Sequence, residues 1–336
     1  MKHNEPLIIG DTAVLPGETK RIELPTVSLY TDVQMSIPIF IKRGKKAGPT
    51  LLVCSSIHGD ELNGIEIISR LIQSKTINRI KGTLIAVPFV NGFGILNHSR
   101  YLPDRRDLNR SFPGSKRGSL AARIAHLFMN EIVNKCDFGI DLHTGAIHRS
   151  NYPQIRANLE HPKTLELAKA FTVPVLINAN LRDGSLRESA DNLGIPMLLY
   201  EGGQALRFDE FSIKVGLKGI TNVMRYLQML PKLKPKKKPV EPFIASNTSW
   251  VRASESGFVV HKKELGDRVK KDDLLAEIKN HYGDVVAMVK CFSDGIVIGK
   301  QNIPLVQEGE AIYHIAYFEK ALNVVKNIES FEETIG

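Results

Sequence analysis

Cysteine is scarce in this sequence. Three residues, Cys54, Cys136 and Cys291, lie far apart among 336 positions, with no Cys-x-x-Cys pair. An odd, scattered set argues against a disulfide framework and fits a reducing compartment. Long apolar runs are missing too: "PTLLVCSSI" and "TLIAVPFV" fall short of the ~18–20 residues a membrane helix needs. The opening "MKHNEPLIIGDTAVL" lacks the apolar core of a signal peptide. A cytoplasmic protein with no membrane partner is expected. The formal charge of +9 gathers most visibly in "KLKPKKKP" (232–239), whose five lysines sit among prolines that cannot continue a helix. No aromatics interleave them, as single-stranded nucleic-acid binding would favour, so this block reads as a solvated linker and no nucleic-acid partner is expected.

What is present is an ordinary soluble composition, 43% hydrophobic and 24% charged, long enough for two domains. The first half alternates strand-like and helix-like segments. Strands are read at 50–57, 82–91, 137–143 and 194–203, and helices at 61–74, 119–136, 162–172 and 214–230. The expected fold class is α/β, with a mainly parallel sheet flanked by helices. After the linker, short β-branched segments from 247 to 318 predict a small all-β unit. The expected organisation is an α/β domain over 1–230 with a β-rich N-terminal extension, a linker over 231–246, the β unit, and a tail over 319–336.

In such sheets the ligand site lies beyond the carboxyl ends of the strands. His58 and Glu61, in "HGDE", follow one strand; His143 ends "FGIDLH"; Glu201 ends "PMLLYE". Two imidazoles and a carboxylate, with one position left for water, are the ligand set of a catalytic zinc, and a further carboxylate suits the general base. One Zn2+ per chain is the expected cofactor. Asp141, two residues before His143, points to the same side of its strand and is placed to hold the outer ring nitrogen of a ligand histidine. The loop "NHSRYLPDRRDLNRSFPG" carries Arg100, Arg105, Arg106 and Arg110, whose planar forks suit carboxylates; Asn109 adds a neutral donor. Arg187, in "DGSLRESADNLG", is a further candidate for an anion. The remaining histidines, His314 among them, read as structural or surface residues.

The motifs "HGDE", "DLNRSFPG", "DLHTG" and "YEGG", in this order, resemble the succinylglutamate desuccinylase/aspartoacylase family of the zinc-carboxypeptidase-like superfamily. The resemblance covers roughly residues 45–230. It implies zinc-dependent hydrolysis of the amide bond of a small anionic N-acyl amino acid. By position, His58, Glu61 and His143 match the family's metal ligands, Glu201 its base, and Asn109 and Arg110 its carboxylate-binding pair. Arg100 resembles the arginine that polarises the scissile carbonyl, with Arg105 and Arg106 as alternatives, and Arg187 resembles a further substrate-side arginine.

The C-terminal unit resembles the barrel-sandwich fold of biotinyl and lipoyl carriers, but its hairpin tip, "KNHYGDVVAM", lacks their modified lysine motif. A β domain leaning over the catalytic mouth, with Tyr282 as a contributor, is the expectation. A peptide-cleaving carboxypeptidase and a non-catalytic carrier remain the alternatives. Exposed β edges are compatible with a homo-oligomer.

Overall fold

The computed structural model describes residues 5–233, 242–245 and 247–317. Most of the lysine block and the whole 319–336 tail expected from the sequence lie outside the described residues. At the centre, strand Thr50–Ser55 runs parallel to Thr83–Val87 on one side and to Phe138–Gly145 on the other, and Met197–Gln204 continues the parallel set. These strands are buried at nearly every position because both faces are covered. Leu52 and Cys54 enter one core with Ile85 and Phe128. Leu51 and Val53, one residue out of phase, enter the other with Ile67 and Phe171. The fold is the mixed α/β class expected.

Antiparallel strands extend this centre in both directions. The hairpin Thr19–Ser28 and Gln34–Arg43 joins the Thr83–Val87 edge. On the other side Arg149–Ala157 runs antiparallel to Met197–Gln204. The sequence reading has no element at 149–157, and Pro153 is unusual in a strand with neighbours on both sides. The structure resolves this locally. Residues 149–151 pair with Gly295–Gln301, residues 154–157 pair with Val175–Asn178, and Pro153 sits where one partner gives way to the other.

Through Gly295–Gln301 the sheet runs on into Ala311–Tyr317 and Asn247–Arg252, so it is continuous across the boundary read at the linker. The C-terminal residues also form a four-stranded antiparallel sheet of Gly257–His261, Leu274–Lys279, Val285–Lys290 and Leu305–Val306. Val251, Leu275, Ile278 and Ile312 lie in the core between the C-terminal strands.

Helix Leu120–Glu131 begins where Ser119 Oγ accepts a hydrogen bond from the Ala122 N–H at 3.3 Å. Helix Asn63–Gln73 starts two residues later than read, leaving Glu61 in the turn before it. Its Arg70 forks onto Glu210 of helix Glu210–Tyr226 at 2.8 Å through both terminal nitrogens. Both partners are substantially exposed, so this pair contributes little to stability. No helix among the described residues is long and apolar enough to cross a membrane.

Candidate active site

The parallel strands end at one edge, and their exits carry the site. After Ser55 the chain turns through Ser56, whose φ is 49°. The Ser56 hydroxyl donates to the Glu61 carbonyl at 2.7 Å, and the Glu61 N–H donates to the His58 carbonyl at 3.2 Å. Gly59 in this turn lies against Gly94; a Cβ at Gly59 would be 2.0 Å from the Gly94 carbonyl carbon, so no other residue fits unless the backbone moves. The "HGDE" turn is thus fixed by close backbone contact.

His58, Glu61 and His143 converge, with donor atoms within 4.8 Å of one another and all three side chains buried. The two Nδ1 atoms meet the Glu61 carboxylate, at 2.8 Å from His58 and 2.7 Å from His143. Each outer ring nitrogen meets a carboxylate: His143 Nε2 is 2.7 Å from Asp141 Oδ2, and His58 Nε2 is 3.1 Å from Asp107 Oδ1. Asp141 takes the place the strand period assigned to it. Asp107 was missed, although it is the aspartate of "DLNR"; it reaches His58 only because the loop folds back across 49 residues.

The charge balance indicates what the cluster accommodates. With both imidazoles neutral, Glu61, Asp107 and Asp141 face a single guanidinium, Arg100, which leaves two buried negative charges. A divalent cation neutralises them, and imidazoles backed by carboxylates are the usual form of a metal-ligating pair. Protonating the imidazoles pairs the same carboxylates in another way, as the titration shifts show. Burial opposes ionisation of Glu61, yet the His58 and His143 charges hold its carboxyl well below the usual range. Burial likewise opposes protonation of His143, but Asp141 and Glu61 raise it well above the ordinary histidine value. The residues fit a zinc ion.

Arg100 closes this cluster. Its guanidinium donates to Asp107 Oδ2 at 2.9 Å and 3.2 Å, and its other terminal nitrogen lies 3.2 Å from His58 Nδ1 and 3.5 Å from Glu61 Oε1. Arg105 and Arg106 are not brought to the site. The Arg105 N–H donates to the Leu102 carbonyl, and the Leu102 N–H donates to that of Arg106. This tight turn leaves both arginines exposed, outside the cavity lining.

Asn109 and Arg110 line the cavity; the Asn109 side-chain oxygen accepts from the Leu186 N–H at 3.0 Å. Arg187 also lines it but is already engaged, donating to the carbonyls of Ala179 and Asn180 at 3.0 and 2.7 Å. Burial and the neighbouring Arg156 and Arg182 bring its pKa down to about 10.

Glu201 is the register partner of His143 on the next strand. Its carboxylate, 19% exposed, accepts a hydrogen bond from the Asn151 side-chain amide and lies 3.3 Å from Arg156 Nε. The cavity has a volume of about 570 Å3, and the C-terminal strands supply Thr248, Trp250 and His314 to its wall. The sequence reading leaves His314 as structural, since nothing local links it to residues so far back in the chain. It is buried and stacked on Trp250, with ring centroids 4.4 Å apart and planes at 9°. Burial, with the Arg156 charge, lowers its pKa to about 3. Tyr282 does not contribute: it is 81% exposed on a hairpin turn, outside the cavity lining.

Comparison with known proteins shows the family. A family model, the succinylglutamate desuccinylase/aspartoacylase catalytic domain, matches residues 47–227. The chain is 28% identical over 301 residues to the N-alpha-acetyl-L-2,4-diaminobutyric acid deacetylase of Halomonas elongata, covering 85% of this chain and 87% of that protein. The product-bound ectoine utilization protein EutE (DoeB) of Ruegeria pomeroyi superposes with a TM-score of 0.79 at 25% identity, over 94% of this chain and 99% of that one. A succinylglutamate desuccinylase/aspartoacylase from Rhodobacter sphaeroides superposes with a TM-score of 0.76 at 24% identity, over 89% and 96% of the two chains. With the family model matching more than half of its length, the chain belongs to the succinylglutamate desuccinylase/aspartoacylase family, a family of deacylases.

Proposed function

We propose that this protein is a zinc-dependent amidohydrolase that removes the acyl group from a small anionic N-acyl amino acid. The observation that carries the reading is the convergence of His58, Glu61 and His143, with Glu201 in register beside His143 on the same face of the sheet. His58, Glu61 and His143 would hold the ion. When bound, zinc supplies Lewis-acid chemistry, bringing the pKa of a water toward neutrality and stabilising charge on the attacked carbonyl.

The remaining work belongs to the chain. A Glu201 carboxylate oxygen takes the proton of the attacking water and returns it to the leaving amine nitrogen. Arg100, against the metal cluster, stabilises the developing negative charge on the carbonyl oxygen. Asn109 and Arg110 hold the α-carboxylate, and Arg187 keeps the adjoining wall positive. The cavity carries Arg100, Arg110, Arg149, Arg156, Arg182 and Arg187 against two carboxylates, Glu61 and Glu201. That balance favours a substrate with more than one negative charge over the cationic side chain of a diamino acid.

The test is a panel of N-acetyl-L-aspartate, N-succinyl-L-glutamate, N-acetyl-L-2,4-diaminobutyrate and free dipeptides with the zinc-loaded protein. An acidic N-acyl amino acid is expected to have the highest kcat/KM. Glu201→Gln should keep zinc and lose ~10²–10⁴-fold in kcat. Preferential cleavage of dipeptides would overturn the deacylase reading, and full activity in Glu201→Gln would remove Glu201 as the base.

A further inference from the structure

We propose that Asn151 and Arg156 are positioning residues for Glu201, and that the C-terminal strand Gly295–Gln301 keeps Asn151 in place. The C-terminal unit is then a working part of the catalytic centre. This rests on the reading of Glu201 as the general base.

A general base acts through one oxygen whose lone pair must face the proton it takes, so a partly exposed carboxylate needs to be held. Both Glu201 oxygens are held. Oε2 accepts from Asn151 Nδ2, and Oε1 lies 3.3 Å from Arg156 Nε. This second contact is an ion pair without hydrogen-bond geometry, since Arg156 Nε is among the buried nitrogens with no hydrogen-bond partner. Both partners belong to Arg149–Ala157, a strand outside all four sequence motifs. The register places them on either side of the base: Arg156 is paired with Leu199, Gln154 with Glu201, and Asn151 with Gly203 beyond a bulge.

Asn151 is also where the catalytic strands meet the C-terminal ones, because its backbone pairs with Gly299. A Cβ at Gly299 would lie 3.1 Å from Asn151 Oδ1 and 2.9 Å from His314 Cβ. The oxygen side of the amide is therefore packed against the C-terminal strand while its NH2 side faces Glu201. The bare backbone at Gly299 leaves room for this orientation.

The test uses the full-length, zinc-loaded protein with N-acetyl-L-aspartate and N-acetyl-L-2,4-diaminobutyrate as probes. Asn151→Ala should lower kcat by ~10²-fold, the scale of an ångström-sized misplacement, with KM and zinc content little changed. Asn151→Asp has the same shape but turns an acceptor toward Glu201, and it should lose at least as much. Gly299→Ala, whose added methyl meets His314 Cβ, Asn151 Oδ1 and the Trp250 ring first, should lower kcat in the same direction. In a Glu201→Gln background Asn151→Ala should add almost nothing, because no base remains to be positioned.

Wild-type kcat in Asn151→Asp, or an undiminished effect of Asn151→Ala in the Glu201→Gln background, would overturn the proposal while leaving Glu201 as base. Full turnover in Glu201→Gln would overturn the base reading and this proposal with it. A readout independent of turnover is the crystal structure of Asn151→Ala. A displaced or multiple Glu201 rotamer is expected, and an unmoved single rotamer would contradict the positioning role. Should Asn151→Ala not fold, the isosteric Asn151→Asp serves in both measurements.

Discussion

His143 and Glu201 are register partners on adjacent parallel strands, Phe138–Gly145 and Met197–Gln204. Partners in register present their side chains on the same face, about 4.8 Å apart between strands. The imidazole proposed to bind the metal and the carboxylate proposed to carry the proton are therefore set by the sheet itself rather than by loops. The rest of the site is arranged around this pair, and the following expectations derive from it.

Asp141 and Asp107 fix the two imidazoles. Asp141→Asn should leave the fold intact, since the residue keeps its volume. It should weaken zinc binding ~10–100-fold, the usual cost of losing such a partner. Titration with a competing chelator measures this; unchanged affinity would mean that the 2.7 Å contact has no influence on the metal.

The turn that carries His58 depends on Gly59. Gly59→Ala forces a Cβ onto the Gly94 backbone and should destabilise the protein by about 1–3 kcal/mol, as overpacking does. Zinc occupancy should fall as well, because His58 is the neighbouring residue. Chemical denaturation and metal content check the two effects separately.

His314 links stability to pH. Its folded-state pKa is lowered to about 3 by burial and the Arg156 charge, below the ~6.5 of an unfolded chain. The unfolded state therefore binds the extra proton between these values. The stability that neutral His314 contributes is present in full above pH ~6.5 and is lost progressively as pH falls toward ~3, about 2 kcal/mol between pH 6.5 and 5. The melting temperature of the wild type should drop more than that of His314→Gln over this interval. Parallel slopes would refute the assignment.

Arg100 joins the His58–Glu61 cluster to the loop through Asp107. Arg100→Lys keeps one charge but loses the fork that spans Asp107 and His58. It should lower kcat by ~10²-fold or more, in line with loss of one oxyanion-stabilising donor, with smaller effects on KM. A wild-type kcat in Arg100→Lys would exclude the guanidinium fork from catalysis.

The parts of the site legible in the sequence were those written in local patterns. Strand ends placed His58, Glu61, His143 and Glu201 at one edge, and the strand period placed Asp141 behind His143. What escaped depended on distant pairing. Asp107 sits in a loop whose arginines dominate its appearance, and its role depends on reaching back to His58. Asn151 and Arg156 lie on a strand containing Pro153, tolerated because the partner strand changes there. Trp250 and His314 reach the cavity only because the C-terminal strands join the central sheet. The arginine loop misled in the other direction: four arginines are close in sequence, but the turn at 102–106 sends Arg105 and Arg106 to solvent.

The most direct test of the central claim is the metal content of the purified protein, by mass spectrometry of the metal, compared with His143→Ala and Asp141→Asn. The account predicts about one zinc per chain in the wild type, a reduced amount in Asp141→Asn, and almost none in His143→Ala. A wild type that takes up no zinc even when supplied with it, or a His143→Ala variant that retains a full equivalent, would contradict it.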